Sequence, residues 1–409
     1  MNPTVLPASD DAGAKRLTIA FINWAHAMDH LVILIFPTVV IGLVSVFQRS
    51  YGELIALGTA SFVAFGLFSL PAGWLADRWS RRNMMIAFYI GCGLSLVGAA
   101  LSPGPIALAV ALFVLGIFAA IYHPVGMPML IDVSDARGRT LAFNGVCGNL
   151  GAALAAGITG ALAYLYGWRA AFLAPALVCI ASGVAMALLI ADDRHRTGKR
   201  ESVAAVSFSP RVAWMIFGLY VVISICGGLT FNTVSIALPK LVDERAGQDL
   251  SLLVVGGLTT AVFMCGAVAQ LLMGRLVERF PPYILFALVV ALQLAGIVWA
   301  SHTTGLVLLL AMALAMGAIY AQVTLGDIVV ARYTADAWRG RIYAVRYFLT
   351  FLSAGIAASV IAYFHTRGGF DLVLTAIAGI AAILLLAVIG FVVLVADAEA
   401  KRASPQPAE

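Results

Sequence analysis

Apolar runs of about twenty residues alternate with short polar loops along the whole chain. A helix needs about twenty such residues to cross the hydrocarbon core of a membrane, which is about 30 Å thick. The pattern predicts twelve membrane-crossing helices, several of them long enough to cross with a tilt. The predicted spans are 17–46, 53–76, 83–102, 105–131, 140–166, 168–191, 211–240, 250–277, 282–301, 304–331, 340–364 and 369–396.

The composition agrees with a membrane protein and argues against a nucleic-acid-binding protein. The chain is 62% hydrophobic and 11% charged, whereas soluble domains carry about 25% charged residues. If the N-terminus lies in the cytoplasm, most of the 25 Lys and Arg residues fall in cytoplasmic loops, as the positive-inside rule requires. The net charge of +5 therefore reflects topology. We expect an integral multi-pass protein of a bacterial inner membrane, with both termini in the cytoplasm.

Two landmarks of the first half recur about two hundred positions later, which indicates an internal duplication. The sequence Gly73-Trp-Leu-Ala-Asp77-Arg78 has its counterpart in Gly274-Arg-Leu-Val-Glu278-Arg279, and Arg137-Gly-Arg139 has its counterpart in Arg339-Gly-Arg341. The duplication predicts two parallel six-helix halves with a binding site between them near the middle of the membrane. The expected segments are an N-terminal tail 1–15, a first half 16–191, a linker 192–210, a second half 211–397 and a C-terminal tail 398–409.

Residues 73–82 match the signature loop of the major facilitator superfamily, and the chain resembles that superfamily over essentially its whole length. Ser80 stands where the family usually has glycine, and Glu278 replaces the aspartate in the second copy. The resemblance implies an all-α fold of twelve transmembrane helices in two pseudo-symmetric halves, which move by alternating access. It also implies that Asp77 faces the Arg341 end of helix eleven, and that Glu278 faces the Arg139 end of helix five. The gating residues implied are Gly73, Asp77, Arg78, Arg139, Glu278 and Arg341.

Polar side chains inside the first predicted helix are candidates for function, because ionisable groups are costly within a membrane. Asn23, His26, Asp29 and His30 follow one another at spacings that place them on one face of a helix. His26 and Asp29 are expected neighbours, and a buried Asp–His pair suits proton coupling. A network of hydrogen bonds between helices, without transport chemistry, is the alternative.

Other polar residues are expected to complete a substrate and proton site. His123 lies in a proline-rich stretch of the fourth helix, where freed backbone carbonyls can line a cavity. Arg346 has three alternatives: it reaches the cytoplasm, pairs with Asp327, or meets an anionic substrate. The remaining candidates are Asn144, Asn149, Asn232, Gln322 and Asp327.

The His123-Pro124 pair and the later Gly148-Asn149-x-Gly151 are similar to the fosmidomycin-resistance branch of the superfamily. That resemblance is weaker and implies a proton-driven exporter of a small, often anionic, compound. A different cargo is suggested by two i, i+4 pairs, whose imidazole and thioether groups suit a soft metal such as Cu(I). These pairs are His123 with Met127 and Met312 with Met316.

The prediction is a proton-coupled exporter of a small organic solute, working as a monomer in a lipid bilayer. An importer or facilitator of an organic anion or a transition metal is the alternative. An intramembrane enzyme is disfavoured because the chain lacks a nucleophile–base motif. No nucleotide-binding motif occurs, so neither ATP nor another cofactor is expected.

Overall fold

The computed structural model describes residues 8–134, 137–191, 210–333 and 336–403. The predicted linker 192–210 therefore lies outside the described residues, except for its last position. Nine helices form the first half: α1 (Ala8–Ile33), α2 (Ile35–Phe47), α3 (Tyr51–Ile55), α4 (Gly58–Arg78), α5 (Arg81–Ala100), α6 (Pro105–Ala119), α7 (Tyr122–Val133), α8 (Arg137–Tyr166) and α9 (Trp168–Leu189). Five follow in the second half: α10 (Pro210–Arg245), α11 (Leu252–Leu276), α12 (Pro282–Ser301), α13 (Gly305–Tyr333) and α14 (Asp336–Ala403).

The described helices confirm the predicted class of fold. Eleven described segments are long and apolar enough to cross a membrane. The last of them, Phe348–Asp397, has 50 residues, enough for two crossings of about twenty residues each. Its helical backbone is interrupted at Gly368 and Gly369, and the latter has a φ of 58° and a ψ of −154°, a conformation nearly restricted to glycine. The interruption separates the eleventh crossing from the twelfth.

Helical structure reaches into both predicted tails. Helix α1 begins at Ala8 and α14 ends at Ala403, so the N-terminal and C-terminal helices continue past the predicted apolar spans. The sequence pattern missed these extensions because it marks where a helix is apolar, whereas the backbone hydrogen bonds of a helix continue into polar residues.

The chain divides into two compact units. The first comprises Met1–Lys199 together with Ser251–Thr260, and the second comprises Arg200–Leu250 and Ala261–Glu409. Within the first unit, α1 packs on α8, α5 on α9, and α4 on α6. Within the second, α10 packs along α14, and α12 packs against α13 and α14. An apolar core of the second unit includes Phe286, Val290, Leu325, Leu384 and Phe391.

Two crossings of the first unit are broken at the same distance before a proline. Helices α1 and α2 are separated at Leu34, three residues before Pro37, and α6 and α7 are separated near Ile121, three residues before Pro124. Proline has no N–H to donate to the carbonyl four residues earlier, so the helix interrupts there. At both breaks the backbone makes a tighter i−3 bond instead, over 3.2 Å from Leu34 to Leu31 and 3.2 Å from Ile121 to Phe118.

Candidate functional site

Three histidines and one aspartate meet inside the first unit, close to the two helix breaks. We define the histidine cluster as His26, Asp29 and His30 of α1 and His123 of α7. His30 is the middle residue of the candidate span Gly13–Phe47. One ring nitrogen from each of the three histidines lies within 4.8 Å of the other two, and the Nε2 atoms of His26 and His30 are 3.2 Å apart.

The ring of His26 is held in one orientation. Its Nδ1 lies 2.8 Å from the backbone carbonyl oxygen of Asn144, and a carbonyl can only accept, so Nδ1 carries the hydrogen. In the neutral ring Nε2 is then an acceptor, and it receives the N–H of His30. The ring of Tyr122 stacks on His26 with centroids 4.6 Å apart. Nε2 of His26 therefore points toward the other histidines.

Asp29 is fully buried, and its carboxylate lies beside a different histidine from the one that the sequence predicted. Its Oδ2 is 3.5 Å from Nε2 of His123, and neither of its oxygens accepts a hydrogen bond from another described residue. His26, the predicted partner, is oriented by Asn144 instead. A buried carboxylate with so few donors is costly unless a positive charge or a proton accompanies it.

An amide network supports the cluster from α8. The side-chain Nδ2 of Asn144 donates to Oδ1 of Asn23 over 2.9 Å, and its Oδ1 accepts from the Tyr122 hydroxyl over 2.9 Å. Asn144 is fully buried and Asn23 nearly so. The structure thus unites two predicted site residues with Tyr122, while Asn149 is half-buried one turn further along α8.

Glycines on α8 let α1 approach closely enough to place His26. A Cβ at Gly148 would lie 2.4 Å from Nε2 of His26, and a Cβ at Gly151 would lie 2.0 Å from the backbone oxygen of Ala27. Real atoms essentially never come so close. Gly145, one turn earlier, has nothing within 4 Å of a Cβ. Gly148 and Gly151 therefore make the close packing of α1 on α8 possible beside the histidine cluster.

The second unit carries amides where the first carries histidines. The Nδ2 of Asn232 in α10 donates to the Gly228 and Thr350 carbonyl oxygens over 2.8 and 3.1 Å, and lies 3.2 Å from Oγ of Ser353. Gln322 of α13 is nearly buried, and its Nε2 occupies the space that a Cβ at Gly227 would need. These contacts join α10 to α13 and α14.

Arg346 adopts one of its three predicted alternatives. Its guanidinium donates to Oδ1 of Asp327 and, over 3.1 Å, to the carbonyl oxygen of Val323. A Cβ at Gly326 would come within 2.8 Å of the guanidinium, so this glycine leaves room for it. The ion pair joins α13 to α14 within the second unit.

The predicted gating residues lie at the ends of the described helices. Asp77 is exposed and its Oδ1 lies 3.6 Å from the guanidinium of Arg81, which also binds Asp132. The guanidinium of Arg78 stacks over Trp74, Gly73 lies at the end of α4, and Glu278 is exposed. The side chains of Arg139 and Arg341 lie outside the described residues, so the predicted pairs of Asp77 and Glu278 with these helix ends stay predictions.

The two i, i+4 pairs that suggested a soft metal, His123 with Met127 and Met312 with Met316, have different surroundings. Met312 and Met316 are buried in the second unit, and Met316 lies beside Gly266 with the ring of Tyr320. Met127 is half-buried on α7, one turn beyond His123. The histidine cluster is instead built by residues of α1 and α7, so His123 acquires nitrogen neighbours that its own helix does not supply.

Residues that the sequence did not single out complete both sets of contacts. Tyr122 stacks on His26 and bonds to Asn144, and the ring of Phe65 lies edge-on to His123 with centroids 6.1 Å apart. In the second unit, Oγ of Ser353 lies 3.2 Å from Nδ2 of Asn232. Aromatic and hydroxyl side chains are common in apolar helices, so Phe65 and Ser353 could not be recognised as site residues from the sequence. Tyr122 could have been noticed because it is next to His123.

Comparison with known proteins identifies the family. The model of the Major Facilitator Superfamily matches residues 19–256 and 221–409. A crystal structure of a D-xylose-proton symporter is similar with a TM-score of 0.74 at 14% identity, covering 91% of this chain and 96% of that one. A bacterial homologue of the human lysosomal transporter Spinster has a TM-score of 0.71 at 13% identity, covering 97% and 99%. The xylose transporter XylE from E. coli has a TM-score of 0.73 at 13% identity, covering 92% and 95%. No curated protein matches the chain in sequence. The chain belongs to the major facilitator superfamily.

Proposed function

We propose that the chain is a cation-coupled secondary transporter that moves a small solute by alternating access, and that the coupling cation enters beside Asp29. The family and the membrane-length helices make the chain an integral multi-pass transporter, which binds a small molecule and is not an enzyme. The proposal adds that transport is coupled to a cation and that this cation binds beside Asp29. It rests on the histidine cluster in the first unit.

The observation that carries the proposal is the environment of the Asp29 carboxylate. It is fully buried, and its oxygens accept no hydrogen bond from the described residues. Structural carboxylates inside proteins are usually satisfied by donors, because an uncompensated buried charge costs several kcal/mol. A carboxylate that lacks those donors and lies 3.5 Å from the imidazole of His123 is typical of a site that a cation visits.

The finer features predicted from the sequence belong to this proposal. Export, a proton as the coupling ion, a monomeric state and a bacterial inner membrane remain predictions. The neighbours named in the comparisons include a D-xylose-proton symporter, which supports ion coupling in this fold without indicating this chain's cargo. An importer of an organic anion remains the second candidate, since Arg346 brings a guanidinium between α13 and α14 of the second unit, where it binds Asp327 and the Val323 carbonyl.

The test uses purified protein in two steps. A thermal-unfolding panel of organic anions, organic cations and transition metals identifies compounds that stabilise the folded chain by mass action. Vesicles containing the protein, with a pH-sensitive dye and a zinc-sensitive dye inside, then receive each stabilising compound. We expect at least one compound to drive a cation signal that empty vesicles lack. Compounds that cross without any cation signal would overturn the coupling.

Asp77, the acidic residue of the signature loop, allows a prediction about the conformational cycle of transport. Asp77→Asn is expected to lower the rate of transport at least about tenfold and to leave solute binding within about twofold, because it removes an exposed charge at a helix end, outside the histidine cluster. Binding is measured by the thermal shift and transport in the vesicles. Glu53→Gln, an exposed acid at the start of α3, is the matched control. Weakened binding with an unchanged rate would contradict the gating role.

A further inference from the structure

The arrangement of nitrogen atoms in the histidine cluster has the dimensions of a metal site. Tetrahedral zinc binds histidine nitrogens at about 2.0–2.1 Å, which places two such nitrogens about 3.3 Å apart. The Nε2 atoms of His26 and His30 are 3.2 Å apart, and all three histidines offer a nitrogen within 4.8 Å of the others. The nitrogen of His123 lies within 4.8 Å of the other two, and it must move closer to them for all three to share one ion.

The hydrogen bond that orients the His26 ring is also typical of a histidine that binds a metal. Histidines that bind metals almost always donate their second ring N–H to a carbonyl or carboxylate, which fixes the ring and raises the basicity of the ligand nitrogen. Nδ1 of His26 makes such a bond to the carbonyl of Asn144 over 2.8 Å. Nε2 is left pointing at the other imidazoles, and Gly148 keeps the space around it clear.

Charge and ligand type select the class of ion. Three neutral imidazoles add no charge, so a divalent ion brings two positive charges, and the buried carboxylate of Asp29 offsets one of them. Imidazole ligands suit zinc, cobalt and nickel, whereas magnesium and calcium prefer oxygen, and Cu(I) prefers sulphur. With three protein nitrogens a fourth position stays open for water or a solute.

We propose that His26, His30 and His123 bind one divalent transition-metal ion of the zinc, cobalt and nickel class, with Asp29 as its counter-charge. The inference rests on the proposed function only for its role, in which the metal ion is the coupling cation in place of the proton that the sequence predicts. Binding itself is measured without transport, so the two proposals fail separately. A metal-binding protein that shows no cation-coupled transport would retain the site and lose the proposed function.

The experiment uses the full chain, purified without a polyhistidine tag and stripped with a chelator. Co²⁺ is titrated while the visible absorption of tetrahedral cobalt is recorded, and Zn²⁺ is then added to displace it. We expect one ion per chain, displacement by Zn²⁺ and no displacement by Mg²⁺. His26→Ala, His30→Ala and His123→Ala are each expected to weaken binding at least about tenfold. Absence of the cobalt bands in the unaltered protein would overturn the proposal.

Matched histidines elsewhere in the chain serve as controls. His302 is exposed at the end of α12, and His365 lies 2.9 Å from Glu244 in the second unit. His302→Ala and His365→Ala are expected to leave cobalt binding unchanged, and equal losses in these variants would contradict the site. X-ray absorption of zinc in the unaltered protein requires no variant to fold. It is expected to show nitrogen and oxygen neighbours near 2.0 Å, and sulphur neighbours would overturn the assignment.

Discussion

Gly151→Ala is expected to lower the apparent midpoint of thermal unfolding by about 1–3 °C, because α1 and α8 are in backbone contact there. An alanine Cβ would lie 2.0 Å from the carbonyl oxygen of Ala27 and 2.8 Å from its Cα. Backbone atoms cannot rotate away as a side chain does, so the two helices must separate. Forcing extra atoms into such a contact costs about 1–3 kcal/mol and disturbs the neighbouring contacts.

Gly145→Ala is the matched control on the same helix. A Cβ at Gly145 meets nothing within 4 Å, and alanine is favoured over glycine in a helix by about 1 kcal/mol. We expect Gly145→Ala to keep or raise the midpoint while Gly151→Ala lowers it, so the two substitutions differ in sign. The midpoints are compared in one detergent at one heating rate. Equal midpoints for the two variants would show that α1 and α8 are not in contact at Gly151.

The fold follows from the sequence because membrane crossings are a one-dimensional signal. Each span needs its own apolar run, and the duplicated loops around Asp77 and Glu278 indicate two halves directly. The α-helical period likewise placed Asn23, His26, Asp29 and His30 on one face, as the structure has them. These inferences use only residues within one helix or one repeat.

The contacts between helices are what the sequence alone does not supply. His26 bonds to Asn144, 118 positions later, and Asp29 lies beside His123 instead of its neighbour His26. Spacing rules describe one helix at a time, so they joined His123 to Met127 on the same face of α7. Only the packing of α1 on α7 and α8 brings three histidines together, and the glycines that allow it look from the sequence like packing residues alone.

Asp29→Asn is expected to reduce cation-coupled transport at least about a hundredfold while the folded protein becomes no less stable. The substitution keeps the size of the side chain and removes the charge that balances the incoming cation. Stability is expected to hold or rise, because a buried carboxylate with no described hydrogen bond costs more than a buried amide. Transport is measured in the two-dye vesicles with the compound or ion that stabilises the unaltered protein, and stability is measured by thermal unfolding without ligand.

The opposite signs of these two effects separate a functional carboxylate from a structural one. If Asp29 served only to hold α1 against α7 through His123, then Asp29→Asn would lower stability, and transport would fall only as far as folding does. If Asp29 receives the cation, transport is lost from a protein that unfolds at the same temperature or higher, a trade of stability for activity that functional sites commonly show. Asp371→Asn is the control, since it removes an exposed carboxylate 2.9 Å from Arg245 in the second unit. We expect it to change neither quantity beyond the small contribution of a surface ion pair, and a loss of transport equal to that of Asp29→Asn would refute the special role of Asp29.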